Sequence, residues 1–183
     1  KPMVYLGLYP INNQDFPLLR DSLDKLHLSD SSFEYKLRTQ ESLGKGFQCG
    51  FLGLLHAEII RDRLQKEFNL SVITTAPTVE YNLETKNHGL KLIHSPDDYP
   101  DPSTIKSIAE PVMYVTIYSI SSSVGKVLEF LASKRGTMIN LEYLDAIAKF
   151  TYLVPLSEII LNFFDTLKSI SSGYASLDYE FYE

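Results

Sequence analysis

Apolar positions along this chain follow two rhythms, one of period two and one of period about 3.6, and their succession predicts strands and helices in a repeated order. Residues 3–9 alternate and are rich in β-formers, and Pro10 ends them. From Asp15 onward, Phe16, Leu19, Leu23, Leu26 and Leu28 recur at helical spacing, with Asp15 placed as a cap and Pro17 inside the first turn. Residues 32–39 set Phe33, Tyr35 and Leu37 against Glu34, Lys36 and Arg38, the pattern of a half-buried strand.

Residues 42–56 then place Gly44, Gly46, Gly50 and Gly53 among large apolar side chains, which reads as strand, tight turn and helix start. Gly44 and Gly46 flank Lys45 and permit backbone angles closed to other residues. Phe47, Cys49 and Phe51 alternate with Gln48 and Gly50 as a short buried strand would, and Gly53 lets a helix begin close to the sheet. From His56 the helix shows Ala57, Ile59, Ile60, Leu64 and Phe68 on its apolar side and a charged opposite side, and it stops near Asn69. Residues 71–83, rich in Val, Ile, Thr and Tyr and interrupted by Pro77, close this half as a strand.

Residues 84–110 hold Pro96, Pro100 and Pro102 with little apolar periodicity and read as a linker between domains. After it, 112–118 predicts a strand, and Val124, Val127, Leu128 and Leu131 a helix ended by Gly136. Residues 137–145 and 147–154 follow as two strands, and 156–170 as a helix with Ile159, Ile160, Phe163, Phe164 and Leu167 along its stripe. Residues 174–182 form a last strand. The order β-α-β-β-α-β thus occurs twice, which predicts an α+β protein of two ferredoxin-like sandwich domains with antiparallel four-stranded sheets, one over 1–83 and one over 111–183.

Composition narrows the function classes. At 183 residues the chain suits one large domain or two small ones and can bury real cores, and no apolar run approaches a membrane span. A start at Lys1 rather than Met suggests a fragment, and the one cysteine, Cys49, excludes an internal disulfide. A net charge of −6 argues against nucleic-acid binding by bulk electrostatics, so any RNA contact must be local.

Candidate chemistry is sparse. No GxxxxGK[ST] occurs, and Gly44-Lys45-Gly46 lacks its spacing and its hydroxyl, so no P-loop holds GTP here and the glycines read as a structural turn. Cys49 and His56 are not joined by a spaced Asp or Asn that would orient the ring, and they read as a packed cysteine and a capping or interface histidine. His27, His56, His88 and His94 lack metal-ligand spacing. Tyr114, Tyr118, Tyr143 and Tyr152 raise base stacking on a sheet face, but few cations surround them and no RNA-recognition motif is present. Lys134-Arg135 is the compact basic pair of the second half, placed to complement a helix C-terminus.

The run Gly-Lys-Gly-Phe-Gln-Cys-Gly-Phe-Leu-Gly-Leu-Leu-His-Ala-Glu-Ile at 44–59 closely resembles the signature of the LepA family of translational GTPases, also called elongation factor 4, and more loosely that of elongation factor G and BipA. Blocks at 1–10, 67–79 and 172–179 resemble the same family in the same order. The resemblance implies that 1–83 corresponds to the third domain of elongation factor G and 111–183 to its fifth, within a longer protein whose GTPase domain lies upstream. It implies a noncatalytic chain without a cofactor of its own, GTP and magnesium being held by the parent. The implied partners are the ribosome, through rRNA and ribosomal proteins, tRNA, and the upstream GTPase domain, with no integral membrane segment. The implied location is the cytoplasm, including its membrane periphery, or a mitochondrion or plastid for a eukaryotic source. The expected ribosome contacts are Gly44, Lys45, Gly46, Gly53 and His56, where backbone N–H groups meet phosphates, and Lys134 and Arg135, which match the family's Arg-Gly block. The competing reading is a ferredoxin-like tandem that binds a small regulatory ligand, since this fold hosts both functions.

Overall fold

The computed structural model describes residues 1–183 and divides by its contacts into Lys1–Ile108 and Ala109–Glu183. The first unit runs β1 (Val4–Pro10), α1 (Phe16–Ser29), β2 (Glu34–Gln40), β3 (Gly44–Phe51), α2 (Leu54–Phe68) and β4 (Val72–Thr74). Its sheet is antiparallel in the order β2-β3-β1-β4, the split β-α-β arrangement. Period-two alternation turns Leu6, Leu8, Phe47, Cys49 and Phe51 into one core with Leu23, Ile60 and Leu64 of the helices.

β1 is buried on both faces, and the cause lies in residues expected to be a linker. Residues 84–110 are not a tether: β5 (Tyr81–Thr85), β6 (Gly89–Ile93) and β7 (Ile105–Ala109) form a three-stranded sheet in the order β6-β5-β7. Leu83 and Ile93 are buried in it, and Gly89, at φ +73, turns the β5–β6 hairpin. Pro96 and Pro102 open single 3-10 turns closed by side chains, Ser95 accepting from the Asp97 N–H and Asp101 from the Ser103 N–H. Prolines that suggested flexibility therefore mark ordered corners. The segment before β5 and the one after β6 cross the back of the first sheet. There the Tyr5 ring stacks on His94 at 3.9 Å, Gln48 donates to the His94 carbonyl at 3.2 Å, and Arg38 donates to Asp98 at 2.9 Å.

Other departures have local causes. The strand expected over 71–83 splits: β4 ends at Thr74, Thr75 still bonds to Gly7, and past Pro77 an isolated bridge from Thr78 to Tyr5 precedes β5, which joins a different sheet. Ile59, expected in the core, is 47% exposed, since Ala57, Ile60 and Leu64 already cover the sheet. Asp15 sits at the start of α1 but makes no capping hydrogen bond.

The second unit runs β8 (Val112–Ile120), α3 (Val124–Ser133), β9 (Thr137–Leu144), β10 (Ile147–Pro155), α4 (Leu156–Ile159), α5 (Phe163–Ile170) and β11 (Ser176–Phe181). Its sheet is antiparallel in the order β11-β8-β10-β9, packed on Val127, Leu131, Phe163 and Leu167. The single helix expected over 156–170 breaks because Asn162 adopts a left-handed conformation at φ 54, which turns Phe163 inward and leaves Phe164 part-exposed.

Candidate functional site

The β2–β3 hairpin presents Lys45. Gly44, paired with Gln40, has φ +77, and this backbone angle requires glycine, while the Asn13 amide packs against it, its Oδ1 2.6 Å from where a Cβ would stand. Asn13, Gln14, Phe16 and Pro17 at the start of α1 line a shallow groove with Gly44 and Lys45. Phe16 is fixed there by stacking on Phe47 at 5.3 Å. Lys45 is exposed and has no ion-pair or hydrogen-bond partner, which leaves its ammonium available to an anion. Arg38, which stands opposite Gly46 on β2, is by contrast bound to Asp97 and Asp98. Gly46 is buried instead: a Cβ would meet the Tyr9 ring and stand 2.5 Å from the Leu8 carbonyl oxygen. Gly46 supports the hairpin and offers nothing to a ligand.

Gly53 and His56 form a second, separate feature at the start of α2. Gly53 has extended backbone and nothing within 4 Å of its Cβ position, so it does not bring the helix close to the sheet as its placement suggested. His56 is anchored on both ring nitrogens: the Leu52 N–H donates to Nδ1 at 3.1 Å, so Nε2 carries the hydrogen and donates to Asp30 at 2.7 Å. His56 thus ties the Leu52–Gly53 turn to the turn at Asp30, and the exposed side chains of Leu52, Leu55 and Ile59 flank that turn.

The Ser32 hydroxyl, with His56 and the Ser32 N–H, holds the Asp30 carboxyl at about 2 against the opposing effect of burial. Because the folded value lies below the unfolded one of about 3.9, the stabilisation is fully present above about pH 4 and is lost as pH falls toward 2. After discounting for solvent screening it is worth about 1 kcal/mol. Urea unfolding at pH 6 and at pH 2.5 should show the gap between the wild type and Asp30→Asn closing at the lower pH.

In the second unit Arg135 ends α3 in the left-handed region at φ 55, and Gly136 follows because a Cβ there would lie 2.8 Å from the Leu131 carbonyl. The guanidinium binds both oxygens of Glu110, Oε1 of Glu158 at 3.0 Å and the Ser157 hydroxyl at 3.2 Å. These bonds, Glu110 first and then Glu158, push the Arg135 pKa upward. Lys134 lies 4.0 Å from Glu158 and over the Phe130 ring. The basic pair that the sequence showed is neutralised locally by Glu110 and Glu158.

The remaining candidates are placed apart. Cys49 is fully buried, burial pushes its thiol pKa up, and His56, bound elsewhere, is not its base. No group of three or more His, Cys, Asp or Glu side chains is placed to hold a metal ion. The register divides the four tyrosines: Val115, which faces the core, stands opposite Tyr152, and Ala148, likewise buried, opposite Tyr143. Tyr114 and Tyr118 lie on the other face, where Lys149 stands over the Tyr118 ring and 4.0 Å from Glu142, and Asp178 and Glu180 add further negative charge, a poor surface for bases.

Comparison with known proteins accounts for both units. Residues 107–183 match the family described as elongation factor G C-terminus. Over all 183 residues the chain is 48% identical to elongation factor 4 of Mycoplasmopsis pulmonis (strain UAB CTIP). The chain belongs to the elongation factor 4 family. It covers 31% of that relative's length. A crystal structure of a Thermus thermophilus protein shares the fold, with a TM-score of 0.57 at 17% identity over the whole chain and 40% of its own. The aligned region of elongation factor 4 takes in the Gly44–Gly53 stretch and the Lys134-Arg135 step alike. No helix is long and apolar enough to cross a membrane.

Proposed function

We propose that this chain is a noncatalytic, ribosome-binding part of a translational GTPase of the elongation factor 4 type, acting in protein synthesis. The full-length identity to elongation factor 4 carries the reading. The first unit takes the place of the third domain of elongation factor G and the second that of its fifth. GTP and magnesium belong to a GTPase domain elsewhere in the parent, since the chain itself has no phosphate-binding GxxxxGK[ST]. Its partners are rRNA and ribosomal proteins, with tRNA and the parent's GTPase domain beside them, in the cytoplasm.

For an acidic chain the RNA contact must be a local one, and the Lys45 hairpin supplies it: an unpaired ammonium, the amides of Asn13 and Gln14 and a fixed aromatic ring share one groove. The half-buried Gly53 turn, held by His56, is the second contact, where lack of a side chain and open space at the Cβ position admit a close backbone approach.

Co-sedimentation with ribosomes across a salt series tests both. Lys45→Glu should weaken binding several-fold and lower the slope of log affinity against log salt by about 1, as expected for one lost phosphate contact. Gly53→Asp should weaken binding, while Gly53→Ala keeps the melting temperature. Wild-type affinity in folded Lys45→Glu and Gly53→Asp would remove these residues from the interface, and failure of the wild type to sediment at low salt would end the ribosome reading.

A further inference from the structure

The network around Arg135 has the form of an occupied anion site. Its left-handed backbone suits glycine or asparagine better than arginine. That side chain presents its planar fork outward, about half exposed, and the fork takes both carboxylate oxygens of Glu110. The Ser157 hydroxyl donates to Glu110 Oε2 at 3.3 Å and accepts from Arg135 at 3.2 Å. Lys134 stands on the far side, toward Glu158. Two-pronged guanidinium contact, a hydroxyl and an adjacent ammonium are the donor set that a phosphate takes.

The two glutamates are held differently. Glu158 belongs to α4, whose backbone is fixed, and meets Arg135 through Nε. Glu110 lies between β7 and β8, outside either strand, and fills the fork itself. We propose that Lys134, Arg135 and Ser157 form a phosphate-binding notch which Glu110 occupies in the free chain, so that an RNA phosphodiester docks by displacing the Glu110 carboxylate. The choice of RNA rests on the ribosome reading above, whereas the notch itself does not. An acidic protein gains from this arrangement, because the cationic pair is shielded until a phosphate held by other contacts reaches it. Exchange of one anion for another also keeps the guanidinium fork paired.

Glu110→Gln tests the notch by emptying the fork, with Glu180→Gln, an exposed change on β11 away from the network, as the control for net charge. Two readouts are needed: inorganic pyrophosphate titrated against the Arg135 Nε–H resonance, and ribosome co-sedimentation. Glu110→Gln should bind both roughly fivefold more tightly, the scale of one exposed charge pair, and adding Arg135→Ala to Glu110→Gln should abolish the gain in co-sedimentation. Equal behaviour of Glu110→Gln and Glu180→Gln overturns the proposal, as does a Glu110→Gln protein that melts earlier and binds no better, for then the cluster only braces the fold. If the wild type fails to sediment but pyrophosphate still binds Glu110→Gln more tightly, the ribosome reading falls and the notch stands. If the wild type sediments and neither probe responds to Glu110→Gln, the notch falls and the ribosome reading stands.

Discussion

Gly46→Ala should lower the stability of the first unit by about 3 kcal/mol, the upper range for forcing one methyl group into a filled space. The backbone angle is not the cause, since Gly46 does not have positive φ. The added Cβ would stand 2.5 Å from the Leu8 carbonyl oxygen on the neighbouring strand and press on the Tyr9 ring, which is itself 0% exposed. A side-chain end can turn away, but a carbonyl inside a sheet ladder cannot, so β1 and β3 must separate locally. Hydrogen exchange of β1 and β3 amides in urea gives the free energy unit by unit. Gly53→Ala, where nothing lies within 4 Å, is the matched comparison and should change stability by less than about 0.5 kcal/mol. Equal losses in the two variants would mean that Tyr9 does not close the back of the sheet.

The glycines of the first sheet show where sequence reading succeeded and where it stopped. Alternation alone placed Phe47, Cys49 and Phe51 on one face, because a period of two survives any tertiary context that buries that face. What the other face needed was invisible: Gly46 and Gly50 are small because Tyr9 and Tyr5 of β1 lie across them, a relation between strands distant in sequence. The misreading of 84–110 has the same origin. Leu83 and Ile93 are apolar at strand spacing, yet their alternation is too short to outweigh three prolines, and the segment becomes ordered through Gln48, Arg38 and Tyr5 of the first sheet. Lys45 and Gly53 were legible as parts of a glycine-rich strand, turn and helix start. The locking of His56 by Asp30 and of Arg135 by Glu110 was not, since ion pairs across 26 and 25 residues leave no periodic mark.

Phe33→Ala should cost the first unit about 4 kcal/mol, within the usual range for emptying a buried phenylalanine site. Phe33 lies just before β2 and is 0% exposed, although its neighbours Ser31 and Ser32 are at the surface. Its ring is walled by His27 at 5.3 Å, Phe51 at 6.0 Å and His56 at 6.3 Å, and these rings come from α1, β3 and α2 respectively. No single neighbour can fill the space alone, so most of the cavity persists and the upper half of the range applies. The loss should also reach the candidate site. His56 keeps its hydrogen bonds to Leu52 and Asp30 only while its ring is held edge-on between Phe33 and Phe51. In Phe33→Ala the Leu52 amide should therefore exchange faster than the lowered global stability alone accounts for, whereas the Lys45 amide should follow the global value. Leu37→Ala, on a side chain 61% exposed, should move neither amide. A Leu52 amide that simply tracks global unfolding would show that the Gly53 turn is held by its backbone and not by His56, and that the aromatic core and the exposed turn are energetically separate.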